Sequence, residues 1–508
     1  MTEESEQPTQ NRLAEQRSAH LAAHSTDLVN WRPWDSRAFK RAAKLGRPIF
    51  LSIGHQACHM CRAMQVDSFN DSSFAGFVNR QFVCVKVDRD LRPDIDSFYQ
   101  TYAGASTGIG GWPLNVFLLP DALPFLSWAY LPRIASESSG PSAIDAAASA
   151  MESWILRRED AEAAGADALA LMQNIYSVDA SELTVRDAEE AADRIRGMLD
   201  LSFGGLGEGP KYPQPTVVDF LLASHQSTKK SWQLEAASRW VQSILDGGLF
   251  DREAGGIFRY TEDREWRKPS SEKALGDQGA FLSTLATLHK IDSDDSYRLA
   301  AQAIFEFLGR DLSHPEGGYC SAAGNVITSY NAIASRGLVE AGVAFGDDAM
   351  VKSGLDTLEW ILSTCLKGNE LVRQPDDRSV ASLRFLEDYA ATTAACLSAF
   401  EHTRQEPLYA AARRLQAKTV RLFAGDSGFV AVSGNHLLPM APMETADTSY
   451  PAAPSLLAEN AIRLSKLSAD TPEEPLVSQA LAQFARTILY APHLAGHALR
   501  VLRMRSDS

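Results

Sequence analysis

Long apolar runs are missing from this chain of 508 residues. No stretch of about 18 consecutive apolar residues occurs, so no transmembrane helix is expected. Basic runs are missing too. There are 64 acidic against 49 basic side chains and a formal net charge of −15. Binding phosphates requires a basic face, so neither nucleic acid nor a membrane is an expected partner. The opening Met1-Thr-Glu-Glu-Ser-Glu6 is polar and acidic, whereas a secretory leader needs a basic and then an apolar region. Cysteine is scarce, with six in the whole chain, too few for a disulfide scaffold. A cytoplasmic location is therefore the expectation, where a close cysteine pair cycles instead of stapling the fold. Apolar content of 45% and charged content of 22% are those of an ordinary globular protein, and the length suits two to four domains of roughly 100–200 residues.

Two of the six cysteines are close together, in Phe50-Leu-Ser-Ile-Gly-His-Gln-Ala-Cys58-His59-Met60-Cys61-Arg62. By itself a Cys-x-x-Cys pair is compatible with a redox couple, half of a zinc site, or chance. A zinc site of the finger or ribbon type needs a second ligand pair, and Cys84, Cys320, Cys365 and Cys396 form none. His55 and His59 lie near, but one helical turn cannot readily aim four ligands at one metal; no metal and no cofactor are expected. The flanks favour thiol–disulfide chemistry. Arg47–Ile53 reads as a buried strand and Cys58–Val78 as a helix. Cys58 then sits near a helix N-terminus, where free N–H groups and the helix dipole favour a thiolate. Cys61, one turn on, can attack a mixed disulfide formed on Cys58.

The first part of the chain alternates helix and strand patterns. Asp35–Lys44 is an amphipathic helix, Phe82–Val87 a second strand, and Asp94–Thr101 a short helix. Trp112–Leu119 is a third strand, followed by a turn at Pro120-Asp121 and a strand over Pro124–Ala129. A βαβ unit followed by a β-hairpin is the plan of a thioredoxin fold. In that plan Pro113 either marks a strand start or is a cis-proline beside the cysteines. A loop is expected over Ile134–Pro141, helix over Ile144–Ile175, and a domain boundary near Ser177–Glu182, dividing the chain into 1–178 and 179–508.

Beyond it, helical periodicity dominates, from Ala188–Leu199 to Ser455–Leu467. Gly-rich turns recur at Phe203-Gly-Gly, Ala254-Gly-Gly, Glu316-Gly-Gly and Asp426-Ser-Gly. A spacing of about 50–60 residues between the first three means one helical hairpin per repeat, and the remaining length holds about six. Six hairpins close naturally into an (α/α)6 barrel; a straight solenoid is the alternative. The Gly204–Gly209 cluster follows no strand and reads as a turn, not a phosphate loop. Asp67 and the Asp88–Asp96 run lack calcium-loop spacing.

Many of these residues carry a resemblance. Asn11-Arg-Leu, Asn30-Trp31-Arg-Pro33-Trp34, Gly54-His-Gln-Ala-Cys58-His59-Met-Cys61, Lys86-Val-Asp88-Arg89, Arg92-Pro93-Asp94-Ile-Asp96, Thr107-Gly-Ile-Gly-Gly111-Trp112-Pro113-Leu-Asn115 and Tyr130-Leu-Pro132 are the N-terminal anchors. Gly209-Pro210-Lys211-Tyr212-Pro213, Gly255-Gly256, Arg259-Tyr260, Glu272-Lys273, Asp277 and Leu386-Glu387-Asp388-Tyr389 follow in the second part. With them the chain resembles the spermatogenesis-associated thioredoxin-like proteins, in which a thioredoxin-like domain is fused to a glycosidase-like six-hairpin barrel. The resemblance implies Cys58 and Cys61 as the redox pair and Pro113 as the neighbouring cis-proline. In that arrangement Cys58 is the exposed nucleophile and Cys61 the resolving thiol. A charged His59 between them favours the thiolate; its bland reading is an exposed helix residue.

The second part departs from the family pattern. Ser270-Ser271-Glu272-Lys273-Ala274-Leu275-Gly276-Asp277 stands where the family has His-Phe-Glu-Lys-Met-Leu-Tyr-Asp. Phe258 replaces a histidine, an acidic segment is absent after Ser321, and Pro451-Ala452-Ala453-Pro454 replaces Pro-Ser-Gly-Asn. Lys211, Glu272, Asp277 and Asp388 survive as candidate ligand-binding groups, although Glu272–Lys273 and Glu387–Asp388 also read as helix caps or surface pairs. Sugar hydrolysis needs paired carboxylates in an intact site. The first functional expectation is thus a thiol–disulfide oxidoreductase whose barrel binds a thiol or disulfide protein, or a small molecule such as a carbohydrate. A sugar hydrolase or epimerase in the barrel and a non-catalytic scaffold are the alternatives.

Overall fold

A computed structural model describes residues 10–136, 140–178, 182–375, 377–468 and 474–506. The N-terminal unit opens with α1 (Ala19–Ala23) and α2 (Ser36–Leu45). Its sheet comprises β1 (Ile49–Gly54), β2 (Val83–Asp88), β3 (Leu114–Leu118) and β4 (Pro124–Trp128), in the order β2-β1-β3-β4. β1 and β2 are parallel, with Ser52 opposite Lys86; β3 runs antiparallel to both β1 and β4. A parallel pair needs a crossover, here α3 (His59–Met64) and α4 (Ser72–Gln81).

The helix expected without interruption over 58–78 is therefore two helices. After α3 the chain widens into a π turn over Gln65–Phe69. It restarts at Asp71, whose carboxylate accepts the N–H groups of Ser73 and Phe74 at 3.0 and 2.9 Å. The short helix expected at 94–101 is longer, α5 (Pro93–Thr107), opened by proline and ended by Gly108 at φ 71°. The run expected over 144–175 breaks at Arg157 into α6 (Ala143–Leu156) and α7 (Arg158–Ile175). The loop at 134–141 is described except at 137–139, and the expected boundary after residue 178 abuts 179–181, which lie outside the described residues.

The strands of the sheet's parallel pair are buried along their whole length, so alternation only sorts residues between two apolar faces. Ile49, Leu51, Ile53, Val83, Val85 and Val87 join Ala38, Phe98, Tyr99 and Met172 on one side. Phe50, Cys84 and Phe117 join Met64, Phe69, Phe74 and Trp154 on the other. The two-residue period puts Ser52, Gly54 and Lys86 on this second face, under α3.

The second unit consists of six hairpins. Its helices are α8 (Val185–Met198), α9 (Pro215–Thr228), α10 (Ser231–Asp246), α11 (Leu275–Asp292), α12 (Asp295–Phe307), α13 (Thr328–Phe345), α14 (Asp348–Trp360), α15 (Leu386–Thr403), α16 (Glu406–Phe423), α17 (Ala453–Leu467), α18 (Glu474–Ala482), α19 (Ala485–Tyr490) and α20 (Gly496–Ser506). In space α9 pairs with α10, α11 with α12, α13 with α14, α15 with α16, α17 with α18, and the terminal α20 with α8. The inner ring shows in burial: α11, α13, α15 and α17 are buried nearly all round, as inner helices must be. α9, α11, α13, α15, α17 and α20 each touch the next, and α20 returns to α9. That contact closes the ring, so the architecture is an (α/α)6 barrel and not a straight solenoid. The helices after Leu467 escaped the periodicity reading because α18 and α19 are short.

Asp71 restarts the helix that completes the parallel crossover. Asp71→Ala should cost about 1 kcal/mol, read as a lower midpoint in chemical denaturation. Asp71→Asn, which can still accept the same N–H bonds, should retain most of the stability.

Candidate active site at the seam between sheet and barrel

Cys58 occupies the N-cap of α3, and its Sγ accepts the Cys61 N–H at 3.1 Å. Cys58 and Cys61 form a disulfide, with Cα atoms 5.3 Å apart. Cys58 is only 9% exposed and Cys61 1%, so the expected exposed nucleophile is a narrowly accessible one. Burial follows from position: the pair follows a strand with no solvent face. His59 is exposed at the first position of α3. The Trp112–Pro113 peptide is cis, and Pro113 is buried directly before β3.

The loops at the C-terminal ends of β1 and β2 do not face open solvent. They enter the mouth of the barrel, where the inner helices begin. The Arg89 N–H donates to the Gly54 carbonyl at 3.0 Å and ties the two loops together. Asp88 accepts from Ser18 Oγ at 2.6 Å and from Asn325 Nδ2 at 3.0 Å. The Asp90 carbonyl accepts from Arg373 Nε at 2.7 Å, and its carboxylate from Ser321 and Tyr330 at 3.3 Å each. Arg89 lies over the Trp112 ring at 4.2 Å, and Arg259, from the barrel, at 5.7 Å on the same ring. His55 sets its edge on Trp112 and stands 3.8 Å from Glu272 Oε1.

These contacts account for most of the candidate barrel residues. Glu272 pairs with Arg259 at 3.2 Å. Asp277 is fully buried at the start of α11, and burial raises its pKa against the pull of Arg259. Asp388 accepts Arg373 Nη1 at 3.1 Å and the Ser329 N–H at 3.0 Å, while Glu387 takes the same Nη1. Burial raises Asp388 and pushes Glu444 up to about 7. The surface pairing considered for Glu387–Asp388 gives way to a buried one, because Arg373 is itself fully enclosed. Lys211 is elsewhere: it is buried, pairs with Asp200 at 2.8 Å, and donates to the Leu206 carbonyl. Its donors are used within its own turn.

What remains between sheet loops and barrel is a cavity of about 20 Å³, lined by His55, Arg89, Asp90, Glu272, Tyr330 and Tyr450 among others. That volume holds a water but not a sugar ring. The barrel axis deeper in is occupied by an ion network in which Glu459 pairs with Arg336 and His497 at 2.8 Å each. Among the described residues no cluster of His, Cys, Asp and Glu could hold a metal, and no helix is long and apolar enough to cross a membrane.

Sequence reasoning passed over four residues that build this region. Arg89 and Asp90, charged residues directly following a buried strand, carried a usable signal. His20 and Arg373 carried none, since each gains its role only from segments distant in the chain.

Residues 10–173 match the family model Thioredox_DsbH, a protein of unknown function, DUF255. Spermatogenesis-associated protein 20 of Mus musculus is 32% identical over 336 residues, 62% of this chain and 41% of the mouse protein. An uncharacterised protein of Caenorhabditis elegans is 32% identical over 323 residues, 61% of this chain and 43% of its own length. The chain thus spans about two fifths of the curated relatives it matches. Among solved structures, a sugar epimerase from a ruminal bacterium superposes with a TM-score of 0.52 at 11% identity, over 63% of this chain and 97% of its own. Cellobiose 2-epimerase from Bacillus thermoamylovorans gives 0.52 at 9%, over 64% and 98%. At such identity the likeness is one of fold, the six-hairpin barrel.

Arg373→Met removes the charge that holds Glu387 and Asp388 together and should cost about 3–5 kcal/mol. Asp388 is raised in the folded state, so it favours folding while protonated and loses that contribution as pH rises. The deficit of the variant, measured by denaturant unfolding, should therefore be larger at pH 8 than at pH 6.

Proposed function

We propose that this chain, a relative of the spermatogenesis-associated thioredoxin-like proteins, is a thiol–disulfide oxidoreductase acting through Cys58 and Cys61, with the barrel as a module for binding a partner. The observation that carries the reading is the disulfide at the start of α3, where the Cys61 N–H points at Cys58 Sγ. After reduction the same N–H and the helix dipole stabilise a thiolate on Cys58, the more accessible of the two. A thiolate that is stabilised makes the pair more oxidising, by about 30 mV per 1.4 kcal/mol. Attack by Cys58 on a partner disulfide gives a mixed disulfide, which Cys61 resolves. No cofactor enters this cycle: the electrons come from and go to thiols.

One set of groups supports a second reading, sugar processing in the barrel. The half-buried Glu272 and the buried Asp277 and Asp388 are carboxylates with raised pKa values, the state a general acid requires. Against it, the cavity between the sheet loops and the barrel, about 20 Å³, is too small for a sugar ring. Turnover in a glycan screen that Asp277→Asn reduces would favour this second reading.

For the oxidoreductase, Cys58→Ser should abolish exchange with a model disulfide, and Cys61→Ser should retain the first attack and accumulate a protein trapped on Cys58, identified by mass spectrometry. Wild-type protein without a titratable two-electron couple would overturn the reading.

A further inference from the structure

The N-terminal segment places an imidazole behind the cysteine pair. His20, in α1, is 1% exposed, and its Nε2 is buried without a hydrogen-bond partner. A buried polar atom left unpaired is uncommon and calls for a reason. Gly54 shows what the atom faces. A side-chain carbon built on Gly54 would stand 2.8 Å from Cys61 Sγ and 3.2 Å from His20 Nε2. Sulfur and nitrogen therefore share the space over one glycine, and only glycine leaves that space open to both. In the disulfide, Cys61 Sγ has no proton to donate. Reduction supplies an S–H at the place where Nε2 lacks a donor.

We propose that His20 Nε2 is the proton acceptor for Cys61 in the resolving step of thiol–disulfide exchange. The inference rests on the oxidoreductase reading and deepens it. Cys58 thiolate first attacks a disulfide R–S–S–R′; a Cys58–S–R bond forms and R′S⁻ leaves. The Cys61 S–H then passes its proton to Nε2, and the thiolate attacks Cys58 Sγ. The Cys58–Cys61 bond forms, the bond to R breaks, and RS⁻ departs with the electron pair and takes a proton from solvent, to which the imidazolium releases its own. The partner disulfide gains two electrons and the protein dithiol loses two.

The surroundings keep the imidazole ready to accept. Burial first, then the charge of Lys86, then His24 and His55, hold His20 well below the usual histidine pKa. It is thus neutral, and acceptance of a proton at Nε2 requires its Nδ1–H tautomer. Lys86 is itself buried, pushed down to about 7, and donates to Ser52 Oγ at 3.0 Å, two residues from Gly54 on the same sheet face. His24 packs edge-on against His20 at 4.7 Å and is held from behind by Asp27 at 2.6 Å. Asp88, at the end of β2, is engaged by Ser18.

The test follows the two thiolates released from dithiobis-nitrobenzoate by the reduced full chain, in a Cys320→Ala background to remove the one half-buried free thiol. The first release reports attack by Cys58 and the second resolution by Cys61. His20→Asn should change the first by less than about twofold, slow the second about tenfold or more at pH 7, and make it rise with hydroxide toward the wild-type rate at high pH. Lys86→Met keeps His20 but removes its positive neighbour, so the imidazole protonates at higher pH. The acid-side fall of the second phase should move up in pH accordingly. A folded His20→Asn protein with the wild-type second phase, or a Lys86→Met profile that does not move, overturns the inference. Absence of the first phase in the parent protein instead takes down the oxidoreductase reading, and this one with it.

Discussion

Asp88, Arg89 and Asp90 bear the join between the two halves of the molecule. They continue a strand that is buried on both faces, so their charges are carried into a region without bulk water. Charges so placed are costly unless each finds partners. Many of the partners come from the barrel, Asn325 for Asp88 and Arg373, Ser321 and Tyr330 for Asp90, whereas Arg89 has Asp96 of its own unit at 3.5 Å and shares the Trp112 ring with Arg259 of the barrel. Each half satisfies only part of its polar groups at this surface: Asp88 has Ser18 and Arg373 has Glu387 and Asp388 within their own halves, and the other half supplies the remaining bonds. Separation would leave Arg373 against two carboxylates on one side and Asp90 with an unpaired carbonyl on the other. The seam combines this polar complementarity with apolar contact: Leu438 and Met443 from the barrel part of the chain join the sheet core, and Leu91, just after β2, joins the barrel core.

This arrangement changes the meaning of the barrel's carboxylates. In an open six-hairpin barrel, acidic groups at the mouth face a ligand. Here Glu272 faces His55 and Arg259, and Asp388 faces Arg373. The raised pKa values of Asp277, Asp388 and Glu444 arise mainly from burial. Perturbed titration marks functional sites only in a statistical sense, because structural ion networks perturb it as well. At this mouth the network has a structural purpose that accounts for the perturbation.

The sequence conveyed the elements well where pattern is local. The strand–helix alternation through Trp128 and the recurrent Gly-Gly turns specify a thioredoxin plan and a set of hairpins, because turn chemistry and apolar periodicity act over a few residues. It conveyed helix interruptions poorly. The break at Asn70–Asp71 depends on a side chain capping its own N–H groups in preference to continuing a turn, and the π turn before it has no signature in composition. Closure of the barrel is carried by α20 meeting α9, a contact between segments at opposite ends of the domain. Of the candidate site, the closeness of Cys58 and Cys61 was legible from spacing, whereas the approach of His20 to the same glycine was not, because it comes from a separate short helix.

Gly54 is where the two surfaces of the strand end meet. Its carbonyl takes the Arg89 N–H and so fixes the loop that enters the barrel. Its missing side chain leaves room for Cys61 Sγ and His20 Nε2 on the α3 side. Any side chain at this position would push on the disulfide sulfur, since even a methyl carbon would stand 2.8 Å from it, closer than nonbonded atoms approach. The backbone of one residue therefore joins the two loops while the space above it accommodates the cysteine pair and His20. Both requirements are met by placing the cysteine pair directly after a strand buried on both faces. That placement also explains why Cys58 is only 9% exposed while the neighbouring His59 is exposed.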